Sequence, residues 1–233
     1  MALTRVSLPD QAEKAAVVEA MFDRIAPRYD LMNRLMTLRL DQRWRRLTIR
    51  LLRIGRGDTV VDLGCGTGDM CELAAATGAR VIGIDFAAQM LTHARARRVP
   101  AQLVRADAAE LPLPSASATA VTSAFALRNF VSISAVVQEA TRILRPGGRL
   151  GLLEVDAPCG RLMRWGHTVY FRHVVPVLGA LLSDRSAYTY LAQSTAYLPT
   201  EPQLLDCVKA AGLHDVVKHR LSGGIAQLIL AQR

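Results

Sequence analysis

Hydrophobic and polar positions change period twice along this chain. Over residues 11–57 the apolar positions recur at helical spacing: Val18, Met21, Phe22 and Ile25, then Leu31, Leu35 and Leu38, then Trp44, Leu47 and Leu51. Pro27 lacks an N–H and crowds the preceding turn, so it is expected to end the first helix. Asp30 is then placed to cap a second, which Gly55 and Gly57 close. From residue 58 onward, short apolar runs alternate with helical patterns. Thr59–Leu63, Arg80–Ile84, Gln102–Ala106, Ala118–Phe125 and Arg149–Val155 read as strands, and Asp69–Thr77, Ala87–Arg98 and Ser132–Leu144 as helices between them. Arg145-Pro146-Gly147-Gly148 reads as a sharp turn. Pro202 and Gly212 frame a last helix. Asp215–Leu221 and Gly224–Ala231 then form an antiparallel hairpin around Ser222-Gly223-Gly224. The pattern predicts an α/β fold: a doubly wound, mostly parallel seven-stranded sheet with a C-terminal antiparallel hairpin and an N-terminal helical cover.

The boundaries follow from the same pattern. Residues 1–57 form the helical cover, 58–157 the α/β core, 158–200 an insert, and 201–233 the last helix and hairpin, all within one structural domain. Residues 1–10 carry Pro9 and no periodicity, and read as a loose tail. The insert, with a helix through Val169–Leu182 and a Tyr-rich polar stretch to Tyr197, is too long for a simple connection. Inserts of that size at a ligand edge are usually functional.

The first strand ends in Asp62-Leu63-Gly64-Cys65-Gly66-Thr67-Gly68-Asp69. An acid at the strand end, then three glycines, then a helix start, is a turn that brings backbone close to a ligand. The spacing is G-x-G-x-G, one residue shorter than the G-x-G-x-x-G that cradles a dinucleotide pyrophosphate. The shorter loop suits a ligand without phosphates.

Two further acids stand at the next strand ends. Asp85 follows the loop by about twenty residues, where a carboxylate accepts both hydroxyls of a ribose. Asp107-Ala108 is placed to take an adenine amino group. Asp62 orients the loop or reaches the ligand through water, and Asp69 reads only as an N-cap. Each acid alone is an ordinary cap or turn residue; three at successive sheet ends beside the glycine loop define a nucleoside site.

Composition narrows the setting. The chain has 233 residues, 51% hydrophobic, enough for a substantial core. Four cysteines (Cys65, Cys71, Cys159 and Cys207) form no C-x-x-C pair and have no His at metal spacing, which fits a reduced cytoplasmic protein and no metal. Cys65 reads as a small filler in the loop. No apolar h-region opens the chain, and the most apolar stretch, Val174 to Leu182, is short and interrupted by Pro176 and Gly179. The formal net charge is +9, concentrated where Arg34, Arg39, Arg43, Arg45, Arg46, Arg50, Arg53 and Arg56 face only Asp41. Such a stripe fits a solvated helix face, an anionic membrane surface or nucleic acid. Only three basic residues are Lys, so part of the excess is compositional.

The whole set resembles the class I S-adenosylmethionine-dependent methyltransferases, and more narrowly the C-methyltransferases of ubiquinone and menaquinone biosynthesis (demethylmenaquinone methyltransferase-like). The resemblance spans nearly the full chain. It rests on Met21 through Asn33, Trp44-Arg45-Arg46, the glycine loop, Phe125-Ala126-Leu127-Arg128-Asn129, Leu144-Arg145-Pro146-Gly147-Gly148, His173 with Pro176 and Gly179, and Asp184 to Leu191. It implies a Rossmann-like fold with S-adenosyl-L-methionine as cofactor. The cofactor contacts it implies are Thr67, Asp85, Asp107 and Ala108, and a serine whose position Ala124 occupies here beside Ser123; Asp62, Gly64, Gly66 and Gly68 join them from the reading of the loop itself. Relatives usually carry Gly where this chain has Arg39.

The implied reaction is methylation of a ring carbon of a demethylated polyprenyl quinol, demethylmenaquinol or a ubiquinol precursor. A hydroxyl ortho to that carbon must lose its proton before the carbon becomes nucleophilic. Arg128 is the first candidate to bind the phenolate, its alternative being a salt bridge to a sheet-end acid. Asn129 fixes the loop or bonds the acceptor, and Tyr29 closes over the cofactor or merely packs. His173 is a candidate proton acceptor on an otherwise apolar segment, where a core histidine is the plainer reading. Asp184, Tyr188 and Tyr190 are candidates for the acceptor wall. A lipophilic quinol tail and the Arg stripe together imply peripheral association with the inner face of an anionic membrane. A homodimer is compatible with this organisation. The competing readings are a C- or O-methyltransferase of a soluble aromatic molecule and a cofactor-binding protein without activity. No nucleic acid partner is expected, because nothing resembles a catalytic Cys, an amine-methylating Pro-Pro-aromatic motif or an RNA-binding module.

Overall fold

The computed structural model describes residues 11–156, 158, 160 and 194–233. Seven strands form one sheet in the order β3-β2-β1-β4-β5-β7-β6. The strands are β1 (Thr59–Leu63), β2 (Arg80–Asp85), β3 (Gln102–Arg105), β4 (Ala118–Ala124), β5 (Leu144–Val155), β6 (His214–Leu221) and β7 (Ala226–Gln232). β1 to β5 pair in parallel, and β7 runs antiparallel to both β5 and β6. The strand order reverses between β1 and β4, so the crevice at their carboxyl ends is where a ligand is received.

Side-chain alternation along the strands divides the core in two. Val61, Leu63, Val121, Leu150 and Ile229 bury on one face with α5 (Ile133–Ile143) and α6 (Glu201–Ala210). Val60, Ala120, Leu153 and Leu228 bury on the other, with Trp44, Ile49, Cys71 and Leu91. These come from α2 (Leu40–Leu51), α3 (Asp69–Ala75) and α4 (Ala88–Ala96). Near-continuous apolar strands follow from burial on both faces.

The N-terminal cover departs from expectation. α1 runs from Gln11 to Met36 without ending at Pro27, and Asp30 is a mid-helix residue, not a cap. A proline inside a helix costs about 3 kcal/mol, and anchors on both sides outweigh it. Before it, Val18, Met21, Phe22 and Ile25 bury against Ala87 and Met90. Beyond it, the Asp30 carboxylate accepts Thr67 Oγ1 at 2.5 Å and Arg97 Nη1 at 2.7 Å. The chain breaks instead where Leu38 and Arg39 take left-handed φ values of 51° and 63°.

The Arg145–Gly148 stretch is also not a free turn. It is a bulged entry to β5: Leu144 already pairs with Ala118, and the register shifts before Arg149 meets Ala120. Gly147 N–H donates to the Arg233 carbonyl, and Arg233 N–H to that of Gly148, which fastens the bulge to the chain end. The expected hairpin and last helix are present. The tail before residue 11, the helix through Val169–Leu182, and His173, Asp184, Tyr188 and Tyr190 lie outside the described residues.

Candidate functional site

At the β1/β4 reversal a cleft opens between the sheet end and α1, with about 400 Å³ of empty space, open solvent at its mouth included. Gly64 and Gly66 form its floor, Asp85 and Phe86 one end, and Ala124, Phe125 and Ala126 the other. Phe22, Tyr29, Met90, Asn129 and Phe130 complete the wall. Six of the sequence-identified residues therefore meet here: Tyr29, Gly64, Gly66, Asp85, Ala124 and Asn129.

Asp85 locks the glycine loop to β2. Its Oδ2 accepts Gly66 N–H at 2.7 Å, and its Oδ1 accepts Ala87 N–H at 2.9 Å. Burial raises its pKa to about 6, against the backbone donors of Ala87, Gly66 and Phe86. With three backbone donors already on it, the carboxylate keeps one of its roughly four lone-pair sites for a hydroxyl donor. Gly64 has φ +68°, and a Cβ there would lie 2.5 Å from that of Ala126. Only glycine lets the loop and the β4 exit approach so closely.

Several other candidates act one layer behind the cleft. Asp62 is buried, accepting Thr122 Oγ1 at 2.7 Å and the Cys71 thiol at 3.6 Å. Burial lifts it to about 6, with the Thr122 hydrogen bond and the Arg45 charge opposing. It ties the end of β1 to β4 and α3 and does not line the cleft. Thr67 spends its hydroxyl on Asp30 and so ties α1 to the loop. A Cβ on Gly68 would meet Val99 at 2.7 Å, so that glycine serves packing. Ser123 points the other way: its hydroxyl, fully buried, donates to the Leu63 carbonyl at 2.8 Å. Strand alternation gives the cleft to Ala124 instead. Asp107 is exposed and caps Ala109 N–H at 2.8 Å, and Ala108 is buried in the core. Neither lines the cleft.

Two readings are corrected outright. Gly68, not Asp69, is the N-cap of α3, and Asp69 instead binds Arg97 at 2.8 Å and Gln42 at 2.7 Å. Burial pushes the Asp69 carboxyl up, but the charges of Arg45 and Arg97 prevail and hold it low. Arg45 is not part of a solvated stripe. It is buried, its guanidinium carbon lying 5.1 Å from the Phe125 ring centroid. Arg39, Arg43, Arg46, Arg50, Arg53 and Arg56 remain exposed. Cys65 matches its reading as a buried filler; the neighbouring Cys71 thiol and burial push its pKa well up.

Arg128 and Asn129 occupy a short 3-10 turn after β4. The Arg128 guanidinium pairs with Glu154, a residue with no exposed surface at the end of β5. The sheet-end salt bridge weighed from sequence is therefore present. Arg128 Nε and Asn129 Oδ1 are buried without hydrogen-bond partners among the described residues. Tyr29 stands edge-on to Phe22, with ring centroids 5.7 Å apart. Burial raises its phenol pKa against the charges of Arg128 and Arg45 and the hydrogen bond with Asn33. It therefore keeps its proton at neutral pH.

Sequence reasoning missed Glu154, Arg45 as a buried group, and the wall of Phe22, Phe86, Met90, Phe125 and Phe130. The sequence pattern makes Phe125 the last residue of the fourth strand; it lies instead just past β4, where a left-handed φ of 62° sets its ring at the cleft. Glu154 was detectable as a lone acid inside an apolar strand.

The fold is shared with known proteins. A putative S-adenosylmethionine-dependent methyltransferase from Methanococcus maripaludis superposes with a TM-score of 0.64 at 14% identity, covering 100% of this chain and 97% of that one. At that identity the likeness is one of fold, a Rossmann-like sheet with its glycine loop at the β1/β4 reversal. A finer assignment comes from sequence: residues 10–233 match the ubiE/COQ5 methyltransferase family, and the chain belongs to it. A demethylmenaquinone methyltransferase of a Roseiflexus species is 41% identical, over 93% of this chain and 92% of that protein. A ubiquinone/menaquinone biosynthesis C-methyltransferase of Syntrophotalea carbinolica is 38% identical, over 89% and 90%.

Proposed function

We propose that this enzyme methylates a ring carbon of a demethylated polyprenyl quinol, with demethylmenaquinol as the first acceptor to test. The family membership supports the reading, as do the names of the relatives above. The observation that carries it here is an unpartnered acceptor on Asn129, which lines the aromatic-walled cleft, next in the chain to an unpartnered donor on Arg128, which is buried beside the cleft and does not line it. The two atoms are Asn129 Oδ1 and Arg128 Nε.

The residues fit the methyl donor. Asp85 is a ribose acceptor, Gly64 and Gly66 leave the backbone bare beneath the cleft, and Ala124 borders it. When bound, S-adenosylmethionine supplies an electrophilic methyl group on a sulfonium. The chain must hold a phenolate beside it and keep water out, positioning that contributes several kcal/mol. Arg128 is always charged and is a poor base, so its role is to stabilise the phenolate oxygen. Glu154 fixes the guanidinium from behind. Asn129 Oδ1 accepts a hydrogen bond from a hydroxyl of the acceptor, Tyr29 donates one from its retained proton, and the phenylalanine wall excludes water.

Among the described residues, no helix is long and apolar enough to cross a membrane. The six exposed arginines near α2 support peripheral docking on an anionic bilayer, where the quinol tail resides. Flotation with anionic but not neutral liposomes is the expected result; indifference to lipid charge would remove this part. Light scattering on the same preparation reads whether one chain or a homodimer docks.

The reaction itself is tested with purified protein, labelled S-adenosylmethionine and a panel of short-tail demethylmenaquinol, ubiquinol precursors and soluble phenols. Transfer to a quinol is expected. Transfer to a soluble phenol alone would replace this acceptor by a soluble aromatic one.

A further inference from the structure

Arg45 is the one arginine of the basic stripe that turns wholly inward, 7% exposed. A buried guanidinium is expensive unless its donors are satisfied. Its closest acid is Asp41, whose Oδ2 lies 3.9 Å from Arg45 Nε, beyond hydrogen-bonding distance. That Asp41 carboxylate is already engaged by Thr37 at 2.7 Å and Gln42 at 3.1 Å. Arg45 Nε has no hydrogen-bond partner among the described residues.

The other acids that feel its charge are also engaged. Asp62 holds Thr122 and Cys71, and Asp69 holds Arg97 and Gln42. The fold has thus brought a buried cation up behind the cleft wall with only a long ion pair to Asp41 at 3.9 Å and its Nε without a hydrogen bond. Its location says which further anion it is placed to receive. The guanidinium sits against Phe125, which lines the cleft at the end opposite Asp85. A ligand with its ribose on Asp85 crosses Gly66 and Gly64 and reaches the Phe125 end with whatever extends beyond the sugar.

We propose that Arg45 is the carboxylate-binding residue of the methyl-donor site, its guanidinium receiving the α-carboxylate of the methionine portion of S-adenosylmethionine. This rests on the reading that the ribose lies at Asp85. The Arg45 guanidinium also lies over the Phe125 ring, a contact that holds the fork in place before the ligand arrives. A planar fork is the group best matched to a carboxylate.

Titration calorimetry with three ligands separates the possibilities. Wild type is expected to bind decarboxylated S-adenosylmethionine about 10- to 100-fold more weakly than S-adenosylmethionine, the range for losing a charge-assisted hydrogen bond. Arg45→Gln should weaken S-adenosylmethionine by a similar factor and leave the decarboxylated ligand no weaker than in wild type. 5′-Methylthioadenosine, which lacks the whole amino-acid portion, should bind both proteins equally. Arg45→Lys keeps the charge without the fork and should give an intermediate loss, which carries the test if the glutamine variant does not fold. Equal binding of the two sulfonium ligands to wild type would overturn the proposal, as would an equal loss of all three ligands in the variants. Failure of methylthioadenosine to bind wild type would instead remove the nucleoside reading at Asp85.

Discussion

Glu154 holds Arg128 from inside the protein. Its carboxylate pairs with the guanidinium, accepts the Arg128 backbone N–H at 3.3 Å, and accepts its own neighbour Val155 N–H at 2.8 Å. Side chain and backbone of the turn after β4 thus share one buried anchor. Glu154→Gln leaves the Arg128 cation uncompensated in the interior, and urea denaturation should show a loss of about 3–5 kcal/mol. Arg128→Met with Glu154→Leu removes both charges and should recover part of that loss. Recovery stays incomplete because the Val155 N–H loses its acceptor.

This pair shows where the sequence was readable and where it was not. β1 to β4, the helices after the glycine loop and the hairpin follow from period alone, since each is short, apolar and bounded by Gly, Pro or Asp. Asp85 and the loop were found because strand-end acids beside glycines have a local signature. Pro27 misled because tertiary anchors at Ile25 and Asp30 lie outside any local window. Ser123 misled because one residue of strand alternation decides which side chain meets the cleft. Arg45 looked like its exposed neighbours, and only the packing of α2 onto Phe125 sets it apart.

The two buried acids give the protein a specific pH signature. Asp62 and Asp85 are raised to about 6, mainly by burial. Below about pH 4 both are protonated, folded or unfolded, and cost nothing. Between about 4 and 6 the unfolded chain ionises while the folded chain keeps its protons, so their contribution to stability falls as pH rises and is fully lost above 6. Asp62→Asn escapes this penalty. Relative to wild type, its unfolding free energy should rise by about 1–3 kcal/mol between pH 4 and pH 7, read from denaturant melts. A flat difference across that range would count against the assignment.

Arg39 occupies the turn between α1 and α2 with φ 63°, a left-handed conformation that costs a non-glycine residue about 1 kcal/mol. Its side chain is exposed and it makes no side-chain cap for α2. Arg39→Gly relieves the strain, while the greater freedom of glycine in the unfolded chain takes some of the gain back. The net expectation is a stabilisation of about 0.5 kcal/mol, with unchanged affinity for S-adenosylmethionine. Thermal unfolding and calorimetry on the variant check both halves.

Gly64 and Gly66 sit two residues apart in one loop and should fail differently. Both have positive φ, +68° and +55°, so alanine at either costs about 1 kcal/mol in backbone strain. At Gly64 the new Cβ would stand 2.5 Å from Ala126 Cβ, with Phe130 at 3.6 Å behind it. The loop or the β4 exit must move, which adds about 1–3 kcal/mol of overpacking. At Gly66 a Cβ meets no protein atom within 4 Å, because the space beside it belongs to the cleft. Gly66→Ala should therefore melt close to wild type yet bind S-adenosylmethionine at least 10-fold more weakly. Gly64→Ala should lose stability first, with affinity falling as a consequence of the displaced loop. Comparable destabilisation in the two variants, measured side by side with ligand titrations, would mean that the space at Gly66 is not the cofactor's.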